Sequence, residues 1–332
     1  MNSLSLFFLT LSSILSAAAS SPESDSTTVI LRFGGDCLLA EHYERAAEND
    51  VDRAFRGFDL FQAADLAMVN LECPVTVRGE RKSKPFNFRM HPRYLSSLVT
   101  AGIDLVNIAN NHIFDYDSVG LFDTIRFLDS VGVMHVGAGR NREEAHRPAV
   151  IDLKGMRIGF LGYYGGGESP AATTTGPGVA PRRIDVIRSD IKHLVKDLHA
   201  DCVIVNLHWG KEKSEIPEEP QVRMAHQIID AGASVVIGHH PHVLQGIERH
   251  GGGVIAYSLG NLVFGGNSRS SYDTAVLEIS LSKDGLQYQL LPVRMEDWNL
   301  RVLTGIDAAE LIQHVQQLPI PNVDTMNTET NK

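Results

Sequence analysis

Short apolar runs alternate with amphipathic stretches along most of this chain, and that alternation restricts the fold more than any other feature. The apolar runs fall at 66–71, 104–109, 133–136, 150–153, 156–163, 201–207, 234–237 and 254–258. An opening run at 28–33 ends in Gly34-Gly35-Asp36. Helical periodicity appears at 92–101, 119–131, 184–198 and 221–231. Strands separated by helices predict βαβ units and a largely parallel sheet, hence an α/β fold. Two hairpins interrupt the pattern. Lys154-Gly155 separates two apolar runs, and Asp284-Gly285 separates two period-two stretches, 274–281 and 286–295; both dipeptides suit tight turns. The segment 165–181 is rich in Gly, Ser, Thr and Pro and reads as a long surface loop, either a lid or plain connection.

The chain has 332 residues, 43% of them hydrophobic, which is ample for a large core. Such a length allows two domains, although α/β folds often exceed 200 residues as one unit. The expected division is a leader at 1–20, a main domain at 28–300, and a C-terminal helix with a polar tail at 301–332. The leader is an uncharged apolar run, 4–19, followed by small residues, so it resembles a signal peptide and implies a secreted or cell-envelope protein. No Lys or Arg precedes the run, and an uncleaved anchor is the alternative. A formal net charge of −10 argues against nucleic acid or anionic lipid as a partner of the whole surface. The three cysteines, Cys37, Cys73 and Cys202, are an odd number without zinc-site spacing, so they read as small buried apolar residues.

Polar residues that bear chemistry gather where the apolar runs stop. Asp36 follows the opening run, and Glu72 closes 66–71. Asn110-Asn111-His112 closes the third, with Asp115 just beyond; His208 closes 201–207; His239-His240-Pro241-His242 follows 234–237. Ligands of open α/β sheets bind at the carboxyl ends of the strands. Carboxylate, amide and imidazole together favour Mn, Zn or Fe, and Glu72 is placed to bridge two ions. A single histidine is usually a hydrogen-bonded core group. Five polar clusters at five strand ends would leave buried charge unpaired without a metal.

The segments GGDCLLA (34–40), VNLECPVT (69–76), NIANNHIFDYDSVG (107–120), VNLHWGKE (205–212), GHHPHVLQ (238–245) and YSLGNLVF (257–264) resemble, in order, those of the CapA poly-γ-glutamate capsule-synthesis family. The resemblance implies a calcineurin-like metallophosphatase fold, a four-layer αββα sandwich. It also implies roles. Asp36 takes the place of the first metal carboxylate and Glu72 that of the bridging residue; Asn111 and His208 serve the second ion. His240 and His242 supply one imidazole to each ion, with His239 as neighbour or substitute. His112 becomes a general acid oriented by Asp115. Lys84 matches a family position for holding substrate, and Asn261 is a hydrogen-bonding candidate beside it. Phosphatases of this superfamily usually carry Asp-x-His where this chain has Leu38, so one ion on Glu72, Asn111, His208 and His240 is the conservative expectation.

The expected function is therefore a metal-dependent, hydrolase-like step in the synthesis of poly-γ-glutamate or a related surface polymer, with a phosphoester as the other candidate substrate. A non-catalytic export or tethering factor within a membrane synthesis complex is the alternative, and a general phosphoesterase is a third. Glu212 and Gln245 are expected to orient imidazoles, Ser258 to hydrogen-bond near the site, and Trp209 and Phe264 to pack.

Overall fold

The computed structural model describes residues 27–323, so the expected leader and the end of the expected tail lie outside the described residues. The first half of the chain runs β1 (Val29–Leu38), α1 (His42–Ala47), β2 (Leu66–Leu71), α2 (Leu95–Thr100), β3 (Leu105–Asn107), α3 (Asp117–Val131), β4 (Met134–Val136), β5 (Ala138–Gly139), α4 (Arg142–His146) and β6 (Ala149–Leu153). It continues through β7 (Met156–Tyr164), β8 (Gly178–Val179), α5 (Ile184–Lys196), β9 (Cys202–His208), α6 (Glu219–Asp230), β10 (Val235–His239), β11 (Ile247–His250) and β12 (Gly253–Ala256). The last elements are β13 (Asn261–Phe264), β14 (Tyr272–Ser282), β15 (Gly285–Glu296), β16 (Asn299–Val302) and α7 (Gly305–Gln317). Among the described residues no helix is long and apolar enough to cross a membrane.

The strands build two large sheets. The first has the order β16-β15-β14-β1-β2-β3-β4, with β13 also paired to β1. In it β1 to β4 are parallel, whereas β14, β15 and β16 form an antiparallel meander. The second has the order β11-β12-β10-β9-β7-β6; its four central strands are parallel, and only its edges are antiparallel. The largely parallel pattern expected from periodicity is divided between the two sheets that the resemblance implies, and the antiparallel partners come from the hairpins and the C-terminal meander.

The sheets face each other across an apolar seam. Leu31, Phe33, Met68 and Leu105 of the first meet Ile158, Phe160, Ile204 and Ile237 of the second. Among the described residues no strand bridges the two sheets. Side-chain burial therefore joins them, at ~1.5–3 kcal/mol for each fully buried Leu, Ile or Phe. On the outer face of the first sheet lie Leu98 of α2 and Leu121, Ile125 and Leu128 of α3. On the outer face of the second lie Ile187, Ile191 and Leu194 of α5 and Val222, Ala225 and Ile228 of α6. The architecture is the expected four-layer αββα sandwich. Leu311 and Val315 of α7 pack on Leu244 and Ala275 at one edge.

Several local expectations need correction. The opening strand does not stop at Gly34 but continues to Leu38, with its register to β2 shifting between Phe33 and Asp36. Gly35 makes this possible: a Cβ there would lie 2.0 Å from the Gly260 carbonyl oxygen, to which the Asp36 amide donates at 2.8 Å. The 92–101 helix splits into a 3-10 turn, Pro92–Tyr94, and α2. The β6–β7 hairpin turns at Lys154-Gly155, both at positive φ, as expected. In the β14–β15 hairpin Ser282 pairs with Gly285, so Lys283-Asp284 form the turn and Gly285 begins the next strand. The 165–181 loop is anchored by β8, which pairs with β5, and buries Ser169, Ala172 and Ala180.

Candidate metal centre

Strand register decides which polar side chains meet. In the first sheet Asn261, Asp36, Asn70 and Asn107 lie side by side on β13, β1, β2 and β3. In the second, Tyr164, His208 and His239 are in register on β7, β9 and β10. Apart from Asn261, which opens β13, both rows stand at or near the carboxyl ends of parallel strands, and they face each other across the seam. Asn70 links them, donating from Nδ2 to Asp36 Oδ1 at 2.8 Å and lying 3.3 Å from His208 Nδ1. Asn107 Nδ2 in turn donates to Asn70 Oδ1 at 2.9 Å. The expected strand-end convergence is present, but it is shared between two sheets.

Around this seam the donor atoms cluster. Glu72, His208 and His240 each present one donor atom within 4.8 Å of the others, and so do Asp36, Glu72 and His242. Glu72 belongs to both groups. A third group, Glu212 with His240 and His242, is more exposed. His208 Nε2 lies 2.9 Å from Asn111 Oδ1 and 3.6 Å from Glu72 Oε1. His242 Nε2 lies 3.7 Å from Glu72 Oε1. Ligand bonds of about 2.0–2.2 Å put neighbouring donors on one ion roughly 3–3.5 Å apart, so the spacing suits a divalent cation. His240 and His242 have positive φ, 96° and 59°, which places successive imidazoles of the turn on one side at the cost of backbone strain. Gly238 permits this approach, since a Cβ there would lie 1.8 Å from the Tyr257 carbonyl oxygen.

Burial makes the donor set costly without an ion. Glu72 is fully buried, and neither carboxylate oxygen has a hydrogen-bond partner among the described residues. Burial first, and then the charge of Asp36, push its carboxyl well above the usual range. Burial would also raise Asp36, but the hydrogen bond and charge of His242 outweigh it and lower that carboxyl. Burial and the other imidazoles hold His208 well below the ordinary histidine range, and burial brings His239 down to about 4. Burial lowers His240 as well, with His242 adding to the effect. His242 alone moves up, because Asp36 and Asn261 overcome its burial. Metal binding needs neutral imidazoles and ionised carboxylates, so the lowered His208, His239 and His240 are ready for it, whereas Glu72 and His242 would give up a proton to an incoming ion.

Neighbouring groups orient the imidazoles. His242 Nδ1 faces Asn261 Oδ1 at 2.9 Å and Asp36 Oδ2 at 3.3 Å; both oxygens accept, so Nδ1 carries the proton and Nε2 is bare toward Glu72. Asn70 presents its amide donor to His208 Nδ1, which leaves a proton on Nε2 for Asn111. Cation binding at that nitrogen would require the other tautomer, with the proton on Nδ1 and the Asn70 amide turned to accept it. Leu38, where the superfamily's imidazole would stand, is fully buried in the apolar cluster beneath the helices. His239 lies nearer, with Nδ1 3.6 Å from Asp36 Oδ1 and both ring nitrogens unpartnered among the described residues.

Beside the donors lies a proton-handling pair. His112 Nδ1 donates to Asp115 Oδ2 at 2.7 Å, which leaves Nε2 as its reactive nitrogen. Burial lowers the His112 pKa, against the pull of Asp115. Asp115 also accepts from the Phe88 amide at 2.6 Å, and the Phe88 ring lies 4.5 Å from the His112 ring, so the dyad is tightly held. Lys84 Nζ pairs with Asp115 Oδ1 at 2.5 Å, donates to the Asn111 carbonyl at 2.9 Å and lies 3.4 Å from His112 Nδ1. Lys84 is thus joined to the dyad, and Asn261 to His242, where substrate contact was expected.

The other candidates divide. Glu212 faces His240 and His242, but Gln245 donates to the Ser214 carbonyl at 2.8 Å instead of to an imidazole. Ser258 Oγ is turned to the Val243 carbonyl, 2.7 Å away. Trp209 packs on Tyr257 and donates to its carbonyl at 3.0 Å; Phe264 packs on His242. The three cysteines are free and buried, with burial pushing the Cys37 thiol up to about 12 and Cys202 up to about 11. Sequence reasoning gave no role to Asn70, Asn107, Tyr164 or Glu168. Tyr164 stacks edge-on against His208 and bonds Glu168. A signal for the first two was available: Val-Asn-Leu at 69–71 and Val-Asn-Ile at 106–108 put asparagine inside apolar strands, where it is disfavoured.

Residues 30–266 match the family model described as "Bacterial capsule synthesis protein PGA_cap". The chain belongs to this capsule-synthesis family, CapA. Among similar proteins, "PGA biosynthesis protein CapA" of Bacillus subtilis is 32% identical over 272 residues, covering 80% of this chain and 71% of that one. "Capsule biosynthesis protein CapA" of Bacillus anthracis is 28% identical over 299 residues, covering 87% and 73%. A hypothetical protein from Thermus thermophilus has a similar structure, with a TM-score of 0.51 at 17% identity over 81% of this chain and 100% of that one. The NAD nucleotidase of Haemophilus influenzae gives a TM-score of 0.50 at 11% identity, over 89% and 64% of the two chains. These structural likenesses bear on the fold of the CapA chain.

Proposed function

We propose that this chain is an exported, metal-dependent, hydrolase-like protein of poly-γ-glutamate or related surface-polymer synthesis. The observation that carries the metal reading is Glu72, a fully buried carboxylate whose Oε1 lies 3.6 and 3.7 Å from imidazole nitrogens of His208 and His242 and whose two oxygens have no hydrogen-bond donor among the described residues. The names of the relatives support the pathway, and the apolar 4–19 segment supports export.

Glu72, Asn111, His208 and His240 would hold one ion; Asp36, Glu72 and His242, with His239 adjacent, would hold a second. Mn, Zn and Fe all suit this mixed donor set. A divalent ion bound there supplies Lewis-acid polarisation of a phosphoryl or carbonyl oxygen. The protein's own groups do the rest. Asp115 holds the His112 proton on Nδ1, so that Nε2, once it has taken a proton from water, can hand it to a leaving oxygen or nitrogen. Lys84 holds Asp115 from its other oxygen. Asn70 and Asn261 keep His208 and His242 turned inward. The αβ walls around Phe88, Tyr164 and Phe264 limit water at the seam.

The test is direct. Purified protein should carry stoichiometric Mn, Zn or Fe by mass spectrometry, and His208→Ala should lose both metal and turnover of a phosphoester or γ-glutamyl amide. Full function with His208 and His240 both replaced by Ala would refute the reading. A second reading, a non-catalytic factor of a synthesis complex, is favoured by Leu38 in place of an imidazole. Under it, His112→Ala restores polymer formation in a deletion strain as well as wild type does.

A further inference from the structure

The loop 78–85 carries four cations beside the dyad, and they are not equally engaged. Arg78 is neutralised by Asp123, 2.6 Å away, and Lys84 by Asp115, 2.5 Å away. Lys82 Nζ reaches only a backbone oxygen, that of Glu168 at 3.1 Å, and sits 5.2 Å from the centre of the Phe114 ring. Partial burial and the nearby Lys84 lower its pKa against the pull of Asp115 and Asp117, neither of which pairs with it directly. Arg81 is exposed and has no carboxylate partner among the described residues. Arg81, Lys82, Ser83, Lys84 and Pro85 line a depression of about 470 Å³. Its inner wall is Lys84, whose Nζ lies 3.4 Å from His112 Nδ1.

We propose that this depression is a subsite for an extended polycarboxylate, with Arg81 and Lys82 as its anion-binding residues leading the chain toward His112. The inference rests on the polymer reading given above and adds the place of entry. A chain of net charge −10 repels polyanions at long range, so a local uncompensated basic site is needed to admit one. Exposed ion pairs are individually weak. One carboxylate would barely be held, whereas a polymer engages Arg81 and Lys82 together and gains by effective concentration.

The experiment measures binding of the full chain to defined-length poly-γ-glutamate by fluorescence anisotropy, for wild type and the Arg81→Gln/Lys82→Gln variant. The variant should bind about 2- to 30-fold more weakly, with a shallower salt dependence, and keep the wild-type melting temperature and metal content. Monomeric glutamate should not compete. Unchanged polymer affinity, both here and in Arg81→Glu/Lys82→Glu, overturns the subsite; so does equal competition by polyphosphate of the same charge. Metal-free His208→Ala separates the two ideas. If the metal reading fails and the subsite is right, polymer binding persists in that variant and remains sensitive to Arg81 and Lys82.

Discussion

Replacing Glu72 by Gln should stabilise the metal-free protein and abolish its response to metal. The side chain is fully buried, its oxygens lack donors among the described residues, and Asp36 stands beside it. A buried polar group left unsatisfied costs about 1–3 kcal/mol. Glutamine keeps the shape but still buries an unpaired amide, so the relief is about 1–2 kcal/mol, the part linked to charge. At about 2–4 °C per kcal/mol for a large domain, Tm in chelator should rise by about 2–8 °C. With Mn or Zn the order reverses. Wild type gains about 2.7 kcal/mol at a hundredfold excess of metal over Kd, and the variant gains little. Calorimetric melts of both proteins, with chelator and with metal, should therefore cross. A variant that melts below wild type in chelator and keeps the full metal-induced rise would refute the idea that Glu72 is held in place for an ion.

Three further outcomes follow from the packing. Gly35→Ala would press its Cβ to 2.0 Å from the Gly260 oxygen, and should cost about 1–3 kcal/mol in urea denaturation while weakening metal retention through Asp36. Glu278→Ala would strand Arg32, whose guanidinium is 2.7 Å from that carboxylate and largely buried, and should cost about 3–5 kcal/mol in the same assay. The hydrogen bond from Arg78 lowers the Asp123 carboxyl to about 2, from an ordinary value near 4. A depressed acid stabilises the fold above its unfolded pKa. About 1–2 kcal/mol should therefore be present at neutral pH and lost between about pH 4 and pH 2, less in high salt because Arg78 is exposed. Asp123→Asn should remove that acid limb of the stability profile, and an unchanged limb would contradict the assignment.

The layers were legible because periodicity reports burial. Apart from Asn206 the run 202–207 is apolar, and β9 is buried along its whole length; 184–198 is amphipathic, and α5 buries one stripe. What periodicity could not supply was which strands share a sheet. Both sheets have apolar strands with helices between, so nothing local to Glu72 or His208 says that they face each other from opposite layers. Hairpin chemistry did locate the β6–β7 turn, yet it missed the β14–β15 turn by one residue, because Gly285 serves there as the first paired residue. The donors were legible as polar residues at strand ends. The hydrogen-bond partners of Lys84, Asn261 and Gln245 were not, since each depends on a neighbour distant in sequence and close only after folding.

The division of the centre between two layers also has a consequence for assembly. Asp36, Glu72 and Asn111 precede His208, His240 and His242 along the chain. A nascent chain would therefore display these oxygen donors before the three imidazoles proposed to share an ion with them, and the proposed centre would be complete only once the second sheet has docked. If an ion is held as proposed, its uptake would come late in maturation, and once seated it would tie the two layers together.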